Sequence, residues 1–578
     1  NRIAEITYNA DGTTFFVYEL GNTETYTYDY RHTITAERDP LGATSSTAYD
    51  LSFRPTTLTD AGGATTSLAW SPGGTNLLQV TDAEGGVTDL AYDELNNLTS
   101  VTDALGYLTT FEYAGTLLTS STDALYGTTT YAYTPEGYLE SVTDPRGSTT
   151  SYTYDSYGQR TSMTDALGHT TTYAYDDLGR LIETTDPLGR VTRSEYDDAG
   201  RLVRSIRNYD PARPQNDENQ YNIVTEYAYD EVGNQIAVTD TYGGTTQSEY
   251  DAEGRLVRTI DAQGHETTNA YDDAGRLIST TDPLGRTSTY EYDDAGRLTA
   301  TTDPLGGVTR STYNLDGTLA STTDALGHTT TYTYDLLKRV TSVTDALGGA
   351  TETTYDAAGN VASTTDALGN TTIFEYDALG RLIRQTDPEG GVTEHFYDAA
   401  GNRIQTVDPL GHRTTYVYNA LNQLTTVADH LGSTTQYTYD AAGNRISTTD
   451  GNGHTTTYTY DALGRVVATT DALGNVSHTE YDALGNVLAR TDDNGHTTTF
   501  EYDSLGRLVG QTDAEGGVTS YTYDAAGNQL TVTDPNGHTT TTAYDALNRP
   551  VSVTDANGIT NSRAYDAAGN LVASTDGL

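Results

Sequence analysis

Polar and apolar residues alternate along short runs, and the runs recur at fixed spacing. His454-Thr455-Thr456-Thr457-Tyr458-Thr459-Tyr460 is one such run. Side chains alternate across a strand, so its two tyrosines share a face. Arg465-Val466-Val467-Ala468-Thr469-Thr470 is a second, shorter run. Turn signals of the form Asp-x-x-Gly separate the runs. In Asp282-Pro283-Leu284-Gly285 the Asp suits the first position of a type I turn, Pro suits the second, and Gly285 accepts the left-handed conformation. Asp503-Ser504-Leu505-Gly506 is the other turn of the unit, and turns of this kind close short hairpin loops. Each unit therefore predicts a β-hairpin, and successive hairpins predict one continuous antiparallel meander. Twisted strands do not stay flat over such a length, so the sheet is expected to coil.

The unit recurs every 21 residues from Tyr271 through Tyr292, Tyr313, Tyr334, Tyr355 and Tyr376 to Tyr565, with Tyr460, Tyr502 and Tyr523 in the same series. Self-similarity at one period outranks local motifs and marks a repeat architecture, here about 27 units over residues 1–578 as a single array. Tyr271, Tyr292, Tyr334, Tyr376, Tyr460, Tyr502 and Tyr523 are read as structural anchors, with Asp503–Gly506 and Asp282–Gly285 as the turn pairs. The steps from Tyr8 to Tyr28 and from Tyr113 to Tyr133 are one residue short, and the step from Trp70 to Tyr92 is one residue long. Trp70, the single Trp, is read as a substituted ladder residue. Between Tyr196 and Tyr229 the step is 12 residues too long, the surplus lying around Asn208–Asn219. This polar insertion is expected as a loop pushed out of the array, a tolerated surface excursion before it is a binding site. The chain opens on Asn1 and stops at Leu578 inside repeats, so it reads as a segment of a longer protein.

Composition narrows the function. Only 35% of residues are hydrophobic and the formal charge is -50, a pairing that suggests disorder; the 46 tyrosines and the strict alternation reject it. With 81 acidic residues against 31 basic ones, of which Lys338 is the only lysine, nucleic acid and anionic membranes are poor partners. No run approaches the ~20 apolar residues of a membrane helix, so no membrane insertion is expected in this segment. The absence of Cys excludes disulfides and thiolate metal sites and fits an exported protein.

Catalysis needs residues that differ from their surroundings, and here every candidate is repeated. His169, His265, His328, His412, His454, His496 and His538 occupy one slot, read as a turn-flanking position rather than a metal ladder. Asp in Asp-x-x-Gly already has the job of capping the turn. No catalytic residue and no cofactor is expected. Dense carboxylates leave structural or nonspecific calcium open, although the glycine-rich nonapeptide of calcium β-rolls is absent. Sequons at Asn97, Asn370 and Asn475 are formally present.

Tyr523-Asp524-Ala525-Ala526-Gly527-Asn528, Tyr271-Asp272-Asp273-Ala274-Gly275-Arg276-Leu277 and Thr281-Asp282-Pro283-Leu284-Gly285 resemble the Tyr-Asp repeat of the Rhs/YD-repeat family, over essentially the whole chain. The resemblance implies an all-β fold, with the hairpins wound into a spiral shell, tube or solenoid. In bacterial Rhs toxins and toxin-complex C components such a shell encloses a C-terminal effector; in teneurins it serves adhesion. The core region with its autocleavage aspartates and the variable tail are not found in this sequence. The expectation is a non-enzymatic scaffold, secreted or at the cell surface, whose partner is an enclosed polypeptide or neighbouring copies of itself. The alternative is an extracellular filament or adhesin, with carbohydrate as a further partner or as a modification.

Overall fold

The computed structural model describes residues 3–9, 13–18 and 23–577. Asn1 and Leu578 lie outside them, as do residues 10–12 and 19–22 of the short step between Tyr8 and Tyr28. Among the described residues there are 54 strands and no helix, and the strands belong to one antiparallel sheet. The chain divides into two compact units. The first comprises Asn1–Ser148, Tyr271–Ile278 and Thr289–Thr414, and the second Thr149–Ala270, Ser279–Ser288 and Thr415–Leu578.

One repeat shows how 21 residues are used. Thr497–Tyr502 is a six-residue strand and Leu508–Thr512 a five-residue strand. A five-residue turn, Asp503–Arg507, joins them, and a second, Asp513–Gly517, leads to the next long strand, Val518–Tyr523. We call these the Tyr-Asp turn and the Thr-Asp turn after the residues that open them. Across the Tyr-Asp turn the register runs Phe500 to Gln511, Glu501 to Gly510 and then Tyr502 to Leu508. Val509 is therefore an extra residue, a β-bulge. Across the Thr-Asp turn the register is unbroken, Gly510 to Ser520, Gln511 to Thr519 and Thr512 to Val518. The same register break recurs beside Tyr460 and Tyr334.

Both turns are built alike. The Asp503 N–H donates to the Arg507 carbonyl at 3.0 Å, and the Gly506 N–H donates to the Asp503 carbonyl at 3.0 Å. The Asp503 carboxylate accepts from the N–H groups of Leu505 and Arg507, each at 3.0 Å. In the Thr-Asp turn Asp282 accepts from Leu284 at 2.9 Å and Arg286 at 3.0 Å. One carboxylate thus pins two backbone donors, which is why Asp opens almost every turn. Gly285 and Gly506 sit at φ 77° and 74°, in the left-handed region. Asn96, Lys338, Asn422 and Asn548 occupy the same turn position at φ 60–66°.

The sheet is one layer with little core. Along Thr455–Tyr460, Tyr458 and Tyr460 are half-buried, while Thr457 and Thr459 on the other face are exposed. Threonines close the Thr-Asp turns in pairs, as Thr491 with Thr497 at 2.8 Å and Thr533 with Thr539 at 2.9 Å. Ladder hydrogen bonds and cross-strand pairs, each contributing roughly 0.2–1 kcal/mol, therefore carry stability that a globular domain draws from its core.

The irregular steps have local causes. The Trp70–Leu77 pair is closed by a longer turn, with the Ser71 N–H donating to the Asn76 carbonyl at 2.8 Å. Leu108–Ala114 and Leu117–Thr122 are joined by Gly115-Thr116 alone, and this tighter turn shortens the step to Tyr133. Within each unit the meander also returns alongside itself. In the first, Arg146 meets Asp398 at 3.3 Å, 252 positions on.

Gly506→Val tests the turn geometry. An added Cβ would meet only the Asn486 amide, Oδ1 at 3.4 Å and Nδ2 at 3.9 Å, so strain at φ 74° rather than crowding sets the cost. A β-branched residue there is expected to cost about 1–3 kcal/mol, read by thermal or urea unfolding; unchanged stability would refute the assignment.

Candidate functional site

The anchor residues of adjacent repeats meet at one junction. The Tyr523 hydroxyl donates to the Leu508 carbonyl at 2.8 Å, reaching back to the residue that begins the bulge. Arg507 lies beside it. Its Nε donates to Asp503 Oδ2 at 2.7 Å, and its Nη1 to the carbonyl of Asp524, in the next Tyr-Asp turn, at 3.2 Å. The guanidinium sits 4.8 Å from the centre of the Tyr523 ring, a cation–π contact. One Arg therefore ties together its own turn, the next turn and the tyrosine between them.

The other anchors repeat this geometry. Tyr292 donates to Leu277, Tyr334 to Leu319 and Tyr460 to Arg445, at 2.9, 2.9 and 2.7 Å. Tyr502 meets the backbone of Val487 in the same way. Tyr271 and Tyr376 hold the equivalent positions at the ends of Glu266–Tyr271 and Thr371–Tyr376. Burial pushes the phenols of Tyr334, Tyr376, Tyr460, Tyr502 and Tyr523 up, so each hydroxyl keeps its proton. Trp70 donates its indole N–H to the Pro55 carbonyl at 2.8 Å, again fifteen positions back. It is a ladder residue by chemistry as well as by position.

The residue after the turn glycine is Arg in some repeats and Asn in others, as Arg507 and Asn528, and both cap the turn Asp. Asn528 caps Asp524 Oδ2 at 2.8 Å, as Arg507 caps Asp503. Arg also reaches the following turn. Sequence reading missed this bridge, although the Tyr-Asp…Arg spacing carries its signal.

The histidine column has the same capping role. His496 Nδ1 lies 3.0 Å from Asp492 Oδ2, and the Asp492 carboxylate raises the pKa of the imidazole. His169, His265, His328, His412, His454 and His538 each pair with the Asp four residues before them at 2.9–3.1 Å. Among the described residues no group of three or more His, Cys, Asp or Glu gathers in a metal-holding arrangement.

The polar insertion replaces one Thr-Asp turn, between Leu202–Arg207 and Ile223–Tyr229; Pro211, Ala212, Pro214, Gln215 and Glu218 are exposed, while other residues bond back onto the array. Asn222 Nδ2 donates to the carbonyls of Asp210 and Arg213, both at 2.8 Å, and Asn216 Nδ2 donates to the Thr241 carbonyl at 3.1 Å. The Arg213 guanidinium stacks 3.9 Å from the centre of the Tyr221 ring. Ile206, Ile223 and Val224 are among the few buried apolar residues of the chain. Within the second unit the loop reaches a distant repeat: Gln220 accepts from the Ala462 N–H at 2.9 Å, and the Asn219 carbonyl accepts from Arg465 at 3.0 Å. Much of its polarity is used in these internal bonds, while Gln215 and Glu218 remain exposed.

A continuous antiparallel sheet of hairpins at a fixed step defines a β-hairpin repeat protein. The RHS Repeat family matches residues 70–108, 92–128, 133–170, 154–187, 175–208, 229–268, 271–308, 313–350 and 355–392. The Teneurin YD-shell family matches residues 397–576. The chain belongs to the RHS-repeat family. Its fold is similar to the crystal structure of TcdB2-TccC3 without hypervariable C-terminal region, at 15% identity and a TM-score of 0.64, covering 97% of this chain and 43% of that one. TcdB2-TccC3-TEV is similar at 16% identity and a TM-score of 0.63, with 95% and 41% covered. The Photorhabdus luminescens Tc holotoxin pore carrying the TccC3-D651A mutation matches at 13% identity and a TM-score of 0.51, with 96% and 43% covered. This chain spans about two fifths of the length of those chains. No curated protein matches.

The turn carboxylates set the acid response. For Asp503 burial works to raise the pKa, but the Arg507 N–H and guanidinium outweigh it and hold the group below the ordinary carboxylate range. For Asp197 the Arg201 N–H is the foremost cause of lowering. A carboxylate with a lowered folded pKa stabilises above its unfolded value, and that contribution is lost as pH falls. Acid also neutralises a net charge of -50, which relieves repulsion. With a cap in nearly every turn, capping is expected to win: melting temperature holds from neutral pH to about pH 5 and drops below about pH 4. A melting temperature that rises on acidification at constant ionic strength would show that repulsion dominates.

Proposed function

We propose that this chain is the wall-forming repeat section of a secreted or cell-surface Rhs-like protein, enclosing or presenting a polypeptide, and that it acts as a scaffold rather than an enzyme. The observation that carries this reading is the coverage of 97% of the chain by the TcdB2-TccC3 fold, in a form described as lacking a hypervariable C-terminal region. The junction chemistry supports the scaffold part. The anchor tyrosine hydroxyls are committed to backbone carbonyls, and the turn aspartates and the histidine column to turn caps. The same commitment weighs against sugar recognition by the anchor tyrosines, because their polar ends are already used.

Electron microscopy of the native protein with two-dimensional class averages tests the reading. Closed hollow particles holding internal density, with the enclosed polypeptide resistant to added protease until the wall unfolds, are the expected result. Unbranched filaments or solid rods would overturn enclosure and establish the repeat array itself as the product.

A further inference from the structure

In the first unit one turn of the later run grips two turns of the earlier run. The gripping turn is the Tyr-Asp turn Asp335–Arg339. Its Leu336 N–H donates to Glu84 Oε1 at 2.8 Å, and its Lys338 Nζ meets Asp60 Oδ2 at 3.0 Å. Asp60 and Asp82 open successive Thr-Asp turns, and Glu84 stands two residues after Asp82. Lys338 Nζ also donates to the Asp316 carbonyl at 3.0 Å, in the turn one repeat before its own.

Three departures from the repeat meet at this contact. Lys338, the one lysine of the chain, stands where most turns have glycine, and holds φ 62°, a conformation that a side chain makes costly. Ala64 stands four residues after Asp60, where Arg286 and His496 cap the Asp of their own turns. Asp60 Oδ1 therefore takes the N–H groups of Gly62 and Ala64, each at 2.9 Å, and Oδ2 is left for Lys338. Gly62 stands where the following Thr-Asp turns carry Glu84 and Leu105. An added Cβ there would meet Asp316 Cβ at 3.2 Å, so glycine lets the two runs approach. None of the three helps its own turn, and all three serve the contact across the runs.

Carboxylates of both runs face the groove beside the contact, Glu37 and Asp39 from the earlier run and Asp273 and Asp294 from the later. Like charges so placed repel. Arg276 and Arg297 of the same groove are held within their own turns, by Asp272 at 2.6 Å and Asp293 at 2.7 Å. Lys338 instead carries its charge across. We propose that Lys338 is a latch between the two runs of the first unit. Its ammonium holds Asp60 against the Asp335–Arg339 turn, and loss of either charge lets the runs part there while both turns stay folded. The equivalent turn of the second unit donates its Ala483 N–H to a neutral acceptor, the Tyr242 hydroxyl, at 2.9 Å. The inference rests on bonds within the chain and stands whether or not the wall encloses a polypeptide.

Residue-resolved hydrogen exchange in wild type, Lys338→Gly, Asp60→Asn and the double variant tests it. Both substitutions keep their turns. Lys338→Gly installs the residue usual at that φ, and Asn opens a turn at Asn419, whose Oδ1 accepts from Leu421 and Gln423 at 2.9 and 3.0 Å. The Leu336 amide bonds across the runs, so it reports the latch. The Asp335 amide bonds to the Arg339 carbonyl at 3.0 Å, so it reports the turn. Each single variant should speed Leu336 exchange roughly threefold, the scale of a partly exposed ion pair, with Asp335 and Ala483 unchanged. The double variant should be no faster than Lys338→Gly alone, because both substitutions break one contact. Leu336 exchange indifferent to either substitution, effects that add in the double variant, or Asp335 and Ala483 speeding along with Leu336 would each overturn the proposal.

Discussion

The structure depends on a carbonyl displaced by a bulge. Each Tyr-Asp hairpin carries one residue too many on its short strand, so the ladder breaks beside the turn. A backbone oxygen at such a break must find a donor or pay for its desolvation. The tyrosine of the next repeat supplies that donor from fifteen positions on. The bond therefore joins one repeat to the next and fixes their spacing. It accounts for the constancy of the Tyr slot, and for the one Trp that fills it with a different donor to the same kind of acceptor.

Around this bond the acidic composition becomes intelligible. A charge of -50 looks like a recipe for disorder, yet the aspartates are the turn caps. Each turn pins its Asp with two backbone N–H groups, and most add an Arg, Asn or His partner four residues on. The carboxylate is thereby held ionised by bonds that the folded turn alone provides. Stability is spread over many equal junctions rather than gathered in a core, as expected of a quasi-one-dimensional array.

Much of the fold was legible in the sequence because it is local. Alternation placed Tyr458 and Tyr460 on one face, and Asp-x-x-Gly placed Gly285 and Gly506 at positive φ. The step length separated Trp70 from a chance aromatic. What escaped notice is non-local. Val509 looks like any strand residue until its partner strand is known. The insertion at Asn208–Asn222 reads as a surface loop because its residues are polar, but its partners at Ala462 and Arg465 are more than 240 positions away. The bridging role of Arg507 lies between these cases: its cap on Asp503 is local, whereas its reach to Asp524 needs the next hairpin in place.

Hydrogen exchange across Leu508–Tyr523 in wild type and Tyr523→Phe tests the central claim most directly. Phe keeps the ring over Arg507 and removes only the hydroxyl that meets the bulge carbonyl. Loss of one hydrogen bond of about 1 kcal/mol should speed opening of this junction roughly fivefold and leave distant repeats unchanged. Exchange in Leu508–Tyr523 indistinguishable from wild type would contradict the account and leave side-chain packing as the tie between repeats.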